Sequence, residues 1–388
     1  MTAETPSAPA AARVATQESD ADRPGRQDGV STLELFFDLV FVFTITQLST
    51  VVVHDLSWGG LLHVALMLGV IWWMYGGYAW LTNAISTERT LHRALLLGGM
   101  CGYLILALAI PGAYGGSGLA FGLGYLVVVG VHTWLFIHGS EETVAAAFLR
   151  IVPFNAATAG MVVLGGALGG RTQVALWAAA FLVEWLTPKL ALGEGFALAA
   201  GHFVERHGLV VIVAIGESVV AIGIGAAGLP VDAELALVAV LGLLLSAALW
   251  WSYFGGDDAA AEAAMAAFPP AVRAQKAIDA FGYAHMLMLL GIVCIAVGLK
   301  TSTGHAYDQL GGAEALVLAG GVTMFLAGDA AFRWSLRIGT GRHRATGAVL
   351  ALATIPLGTA VAAVVQIGAL AMVVAAAAAV RAPPARGS

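Results

Sequence analysis

Apolar residues run along this chain in blocks of roughly twenty, each closed by a short polar or Gly/Pro-containing stretch. A helix rises ~1.5 Å per residue, so blocks of that length match the ~30 Å hydrocarbon core of a bilayer. They predict twelve spanning helices, over roughly 33–53, 58–81, 91–110, 119–138, 144–166, 172–192, 207–227, 233–254, 278–299, 312–332, 343–357 and 360–380. The last two form one nearly continuous apolar run, in which Pro356 and Gly358 are the only turn signal. The fold class is therefore all-α, a polytopic membrane helical bundle. Residues 1–30 lack hydrophobic periodicity and a signal-peptide pattern, and they predict a disordered cytoplasmic tail. Residues 31–380 predict a single transmembrane domain, and 381–388 a second short tail.

Two stretches echo each other. Phe37 to Val53 followed by Trp72, Trp73 and Tyr75 compares with His207 to Gly223 followed by Trp250, Trp251 and Tyr253. Repeats of this kind frame central sites in transporters. Gly118, Gly122 and Gly124 suit close helix packing.

Composition narrows the class. Of 388 residues, 59% are hydrophobic and 11% charged, against ~25% charged in soluble domains. That excludes intrinsic disorder, a nucleic-acid binder and a disulfide-stapled module, while a net charge of -6 is too mild to predict a charged partner. Cys101 and Cys294 lie inside apolar runs and suit small core side chains. With twelve spans, every Lys and Arg except Arg171 and Lys300 falls on one side of the membrane. Basic residues collect in cytoplasmic loops, so both termini are expected to be cytoplasmic.

A charge at the bilayer centre costs roughly 2.5 to 3.5 kcal/mol on insertion scales, which makes the few embedded acids informative. Glu34 and Asp38 lie four apart at the start of the first span and share one helical face. One of them is expected to bind a proton, a cation or a basic residue; Glu34 alternatively caps the helix N-terminus. His202, Glu205 and Arg206 fall at helical spacing just before His207, and Glu217 follows on nearly the same face as Arg206, about 16 Å along. Glu217 is thus the best-placed carboxyl for exchanging a proton inside the membrane. Asp329 and Arg333 are spaced for a salt bridge within one helix, whereas Glu184 and Lys189 stack less well. Given the orientation above, Glu34, Asp38, Asn83, Glu88, Arg89, His202, Glu205, Arg206 and His207 fall near cytoplasmic helix ends and predict a polar vestibule there.

Other motifs fail on context. Gly223 to Gly228 matches a dinucleotide-binding pattern but closes an apolar span with no strand before it. Asp257, Asp258 and Glu262 form a DDxxxE string without a second acidic motif, and a solvated face suits them better than a magnesium site. No His-Glu-x-x-His, paired CxxC, Walker loop or nucleophile elbow occurs, and no cofactor is predicted.

Two segments resemble the bacterial low temperature requirement A protein (LtrA) family. One is Glu34-Leu-Phe-Phe-Asp-Leu-Val-Phe-Val-Phe, running to Ile45-Thr46-Gln47-Leu48-Ser49; the other is His202-Phe-Val-Glu-Arg-His-Gly-Leu, running to Ile215-Gly216-Glu217-Ser218. With Thr82-Asn83 and Phe332-Arg333-Trp334, the resemblance extends over most of residues 31 to 380. It implies a polytopic inner-membrane protein, linked in at least one member to growth in the cold, and it strengthens Glu34, Asp38, His202, Glu205, Arg206 and Glu217 as site residues. Phe37-Asp38 also resembles, without its serine, the Phe-Ser-Asp pore helix of lysosomal and bacterial potassium channels.

The expected function is a proton- or cation-linked secondary transporter or ion-conducting protein, with Asp38, Glu217, Arg206, Glu205, His202, His207 and Glu34 binding ion or substrate. The alternative is an intramembrane enzyme acting on a lipid or isoprenoid diphosphate, with His202, Glu205 and His207 as acids, bases or metal ligands. A non-catalytic scaffold is the third reading. Expected partners are membrane lipids and a small ion or small-molecule or lipid substrate, with a homo-oligomer as an option and no nucleic acid.

Overall fold

Helix α1 (Thr32–His54) begins at Ser31, whose hydroxyl accepts from the Glu34 amide while the Glu34 carboxylate accepts from the Ser31 amide. This capping box satisfies two of the N–H groups that a helix start leaves free. The computed structural model describes residues 29–85, 87, 89–191 and 198–379, and among them the regular elements are all helices. The predicted C-terminal tail lies outside the described residues, as does the N-terminal one apart from residues 29 and 30.

After α1 come α2 (Trp58–Ala84), α3 (Thr90–Ala109), α4 (Gly118–Gly139), α5 (Glu142–Phe148), α6 (Val152–Leu168) and α7 (Gly170–Ala191). Then follow α8 (Ala200–Gly225), α9 (Ala233–Phe254), α10 (Asp257–Ala267) and α11 (Pro270–Ala277). A π-helical turn (Ile278–Ala284) joins α11 to α12 (His285–Ser302), and α13 (Gly312–Leu336), α14 (Arg342–Leu352), α15 (Ile355–Ala360) and α16 (Ala363–Ala379) complete the bundle. Helix α1 packs against α2, α3, α8 and α12, and α8 packs on α1, α9, α10 and α12.

The distribution of side chains is that of a protein in lipid. On α1 the exposed large apolar residues are Leu35, Phe36 and Leu39, while Glu34 and Asp38 are buried. Water would favour the reverse arrangement. Leu104, Ile105 and Leu108 on α3 and Leu119, Leu123 and Leu126 on α4 continue this apolar exterior.

Nine helices among the described residues are long and apolar enough to cross a membrane, and ten if α5 and α6 count as one span bent by 48°. The sequence pattern predicts twelve. Differences arise where proline interrupts an apolar block. Pro153 sits in the first turn of α6, where it has no N–H to donate back, and the expected 144–166 span breaks there. The expected 343–357 span is α14, 11 residues and about 16 Å long, followed by a turn at Thr354 and the short α15, which contains Pro356. Backbone bonds place these pieces: Leu310 N donates to Gly358 O (2.9 Å), Ala363 N to Asp308 O (2.9 Å) and Val364 N to Ala306 O (3.1 Å). The α15–α16 corner therefore lies beside the loop that precedes α13, while α14 starts near the other end of α13, just after Leu336.

Gly169 (φ 68°) and Gly170 (φ 56°) occupy left-handed backbone conformations that let α7 fold straight back on α6. The close approach expected at Gly124 is real. A Cβ there would lie 2.8 Å from Leu106 N and 2.9 Å from Gly102 O across the α3–α4 contact. A Gly124→Val variant is expected to lose about 1–3 kcal/mol through overpacking, measured by denaturant unfolding in detergent. Wild-type stability would contradict this contact.

Candidate functional site

Helix periodicity brings the acids of α1 to α8. Arg206 is 1% exposed, and its guanidinium is the centre of a cluster drawn from α1, α2 and α8. Its Nη1 donates to Glu34 Oε1 at 2.9 Å and also to Thr82 Oγ1. Its Nε donates to the Tyr75 hydroxyl at 3.4 Å, and its Nη2 lies 3.5 Å from Asp38 Oδ1. The rings of Phe37 and Tyr75 each stand 5.5 Å from the guanidinium carbon, so the cation is flanked by aromatic faces.

The Tyr75 hydroxyl donates to Asp38 Oδ1 at 2.9 Å, which orients that carboxylate. The second oxygen, Oδ2, is buried and has no hydrogen-bond partner, and the same holds for Arg206 Nη2. His202 reaches Glu34 with Nε2, 3.1 Å from Oε1. Its Nδ1 lies 3.4 Å from Asn83 Nδ2, and Asn83 is itself fixed by bonds to both backbone groups of Ala199. An amide N–H facing Nδ1 makes that nitrogen the acceptor and leaves Nε2 to donate to Glu34.

Charge counting gives this arrangement its chemical meaning. Two carboxylates face one arginine, so the cluster carries an excess negative charge unless a proton or a cation supplies the balance. Such a site can bind a cation, and Asp38 offers the free oxygen.

Glu217 is placed elsewhere. It is 3% exposed and takes a bond from Thr46 Oγ1 (2.6 Å) and one from Ser49 Oγ (3.3 Å), both on α1. Thr46 is eight residues beyond Asp38, about 12 Å along the helix. Asp38 and Glu217 therefore occupy two separate positions on the α1–α8 seam. Between them the buried residues include Phe41, Ile45, Val210 and Ala214, all apolar.

The other expected vestibule members divide. Glu205 and Arg89 are exposed, and Glu88 lies outside the described residues. His207 is buried, bonds its own helix through Nδ1 to Phe203 O (2.8 Å), and packs on Trp72 and Phe281. His202, Glu205 and His207 thus do not converge, and among the described residues no three His, Cys, Asp or Glu side chains are grouped as a metal site requires.

One expected ion pair is corrected. Asp329 bonds Arg344 Nε (2.7 Å) and Ser252 Oγ (2.6 Å), while Arg333, one turn further along α13, pairs with Asp257 of the DDxxxE string. Glu184 accepts from the Tyr125 hydroxyl, and Lys189 is exposed. Tyr75, Thr82, Thr46 and Ser49 are the site residues that sequence reasoning missed. Tyr75 and Thr82 lie seven apart on α2, Thr46 and Ser49 three apart on α1, and helical spacing is the signal that places each pair on one face.

Residues 29–379 match the model of the bacterial low temperature requirement A protein (LtrA) family. The chain is also similar to the uncharacterized protein RA0937 of Rhizobium meliloti (strain 1021), 30% identical over 326 residues, which covers 80% of this chain and 78% of that protein.

Proposed function

We propose that this chain, which belongs to the bacterial low temperature requirement A protein family, is a multi-pass protein of the bacterial cytoplasmic membrane that moves protons or a small cation, alone or coupled to a solute. The apolar exterior and the long helices support membrane residence. One observation carries the transport reading: Asp38 holds a buried carboxylate oxygen without a partner in a cluster where two acids face one arginine. A group poised in that way exchanges a cation or proton readily; Asp329 Oδ1 is also unbonded beside Arg344, and what sets Asp38 apart is the second acid, Glu34, on the same arginine. Glu217 is the second station. Its ligands Thr46 and Ser49 are hydroxyls, which can serve a carboxylate in either protonation state.

For the topology, we take α14 with α15 as one broken crossing and α16 as the last, which makes twelve. The supporting observation is that α15 meets the loop before α13 while α14 begins near the opposite end of α13. An even count and the one-sided basic residues put both termini in the cytoplasm.

The test is flux through the purified protein in liposomes loaded with a pH-sensitive or potassium-sensitive dye. Wild type is expected to dissipate an imposed gradient, and Asp38→Asn and Glu217→Gln each to slow it by at least about tenfold, as loss of one essential titrating group would. Equal flux in wild type and both variants removes these two carboxylates from the mechanism.

A further inference from the structure

A cavity of about 100 Å³ lies between α2, α4, α6, α7, α8 and the π-helical turn, and none of Glu34, Asp38 or Arg206 lines it. Its wall is aromatic: Trp72, Trp73, Trp80 and Trp185, four of the ten tryptophans, face it together with Phe281 and Tyr283. Two polar groups on that wall are left without partners. Asn155 Oδ1 is buried and unbonded in a residue only 2% exposed, and Trp185 Nε1 is likewise unbonded.

Each such group costs free energy in an apolar surround, and native structures seldom keep two together without a ligand or function to meet them. The wall is also locally irregular. Trp72 Nε1 donates to Gly282 O at 2.9 Å inside the π-helical turn, a distortion that recurs at functional sites. Gly76 opens the space further, since a Cβ there would meet nothing within 4 Å.

The lining specifies the ligand. Flat aromatic walls suit a ring, and a dry cavity of about 150 Å³ is known to admit benzene, so this smaller but partly open one suits a single ring with its substituent extending outward. Asn155 Oδ1 needs a donor and the Trp185 N–H needs an acceptor, and a hydroxyl is both. We infer that this cavity binds a lipid-soluble ring compound carrying a hydroxyl, a phenol or quinol. The inference stands apart from cation movement and survives if that reading fails.

Bromine quenches tryptophan fluorescence on contact, so 4-bromophenol reports its own binding to the purified full chain in detergent, and bromobenzene is the matched ring without the hydroxyl. Quenching by 4-bromophenol is expected to saturate, with bromobenzene about tenfold weaker, as loss of one buried hydrogen bond implies. Asn155→Leu should bring the two probes to equal affinity. Gly76→Leu should abolish saturable quenching, while Gly320→Leu, on α13 and also facing open space, leaves it unchanged. Quenching that never saturates, a wild type that binds both probes equally, or a preference retained in Asn155→Leu overturns the inference. The wild-type comparison decides the matter even if a variant fails to fold.

Discussion

An Arg206→Met variant is expected to be less stable than wild type by about 3–5 kcal/mol, the usual consequence of removing one partner of a buried charge cluster. The cause is what stays behind. Glu34 and Asp38 are 3% and 2% exposed, and with the guanidinium gone they face each other across one helical turn with no cation between them. Thr82 Oγ1 and the Tyr75 hydroxyl also lose a donor. Arg206→Lys keeps the charge but cannot form the fork that reaches Glu34, Thr82 and Tyr75 together, so it should fall between the two. Neutralising the whole cluster, with Glu34→Gln, Asp38→Asn and Arg206→Met combined, should recover most of the loss, because no unpaired charge is then buried. Denaturant unfolding in detergent measures all of these. A single variant within about 1 kcal/mol of wild type would mean that the cluster is not held together by Arg206. The combined variant also separates stability from transport, since it is expected to fold and to conduct nothing.

How much of this was legible follows from where each partner lies in the chain. Helices α1 to α4, α7, α9 and α13 were readable because each is one mainly apolar block whose length is set by bilayer thickness, whereas α8 starts at Ala200, ahead of the expected 207–227 span, because its first turns are polar. The C-terminal region was not, because Pro356 and the turn at Thr354 divide a run whose composition barely changes. Glu34, Asp38 and Arg206 could be singled out by the cost of placing charge in lipid, but that they meet depends on the packing of α1 against α8, 172 residues apart between Glu34 and Arg206. The same limit explains Glu217, whose hydroxyl partners lie 168 and 171 residues away. Spacing also misled at Asp329. Arg333 is its obvious mate on one helix, yet α10 supplies Asp257 to Arg333 and α14 supplies Arg344 to Asp329. Local periodicity states which residues share a face, and only packing states what the face meets.

That second buried pair carries the other large effect, and its consequence should be regional. Arg344, 6% exposed, ties four helices at one point: Nε to Asp329 on α13 at 2.7 Å, Nη2 to Ser252 O on α9 at 3.1 Å, and Nη1 to Ala377 O on α16, all from its place in the first turn of α14. Arg344→Met leaves Asp329, 0% exposed, with only the Ser252 hydroxyl, and frees two backbone carbonyls as well. A loss of about 3–5 kcal/mol is expected, much as for Arg206. Here, however, the released elements are α14 to α16, which form the C-terminal edge of the bundle. Hydrogen exchange should therefore rise first in 342–379 while α1, α2 and α8 keep their protection. An Asp329→Asn change in the Arg344→Met background should restore protection, since the orphaned charge is then gone. Uniform loss of protection across all helices would show instead that the Arg344 junction is part of one cooperative unit with the Arg206 cluster, and unchanged exchange would show that it does not anchor the C-terminal helices.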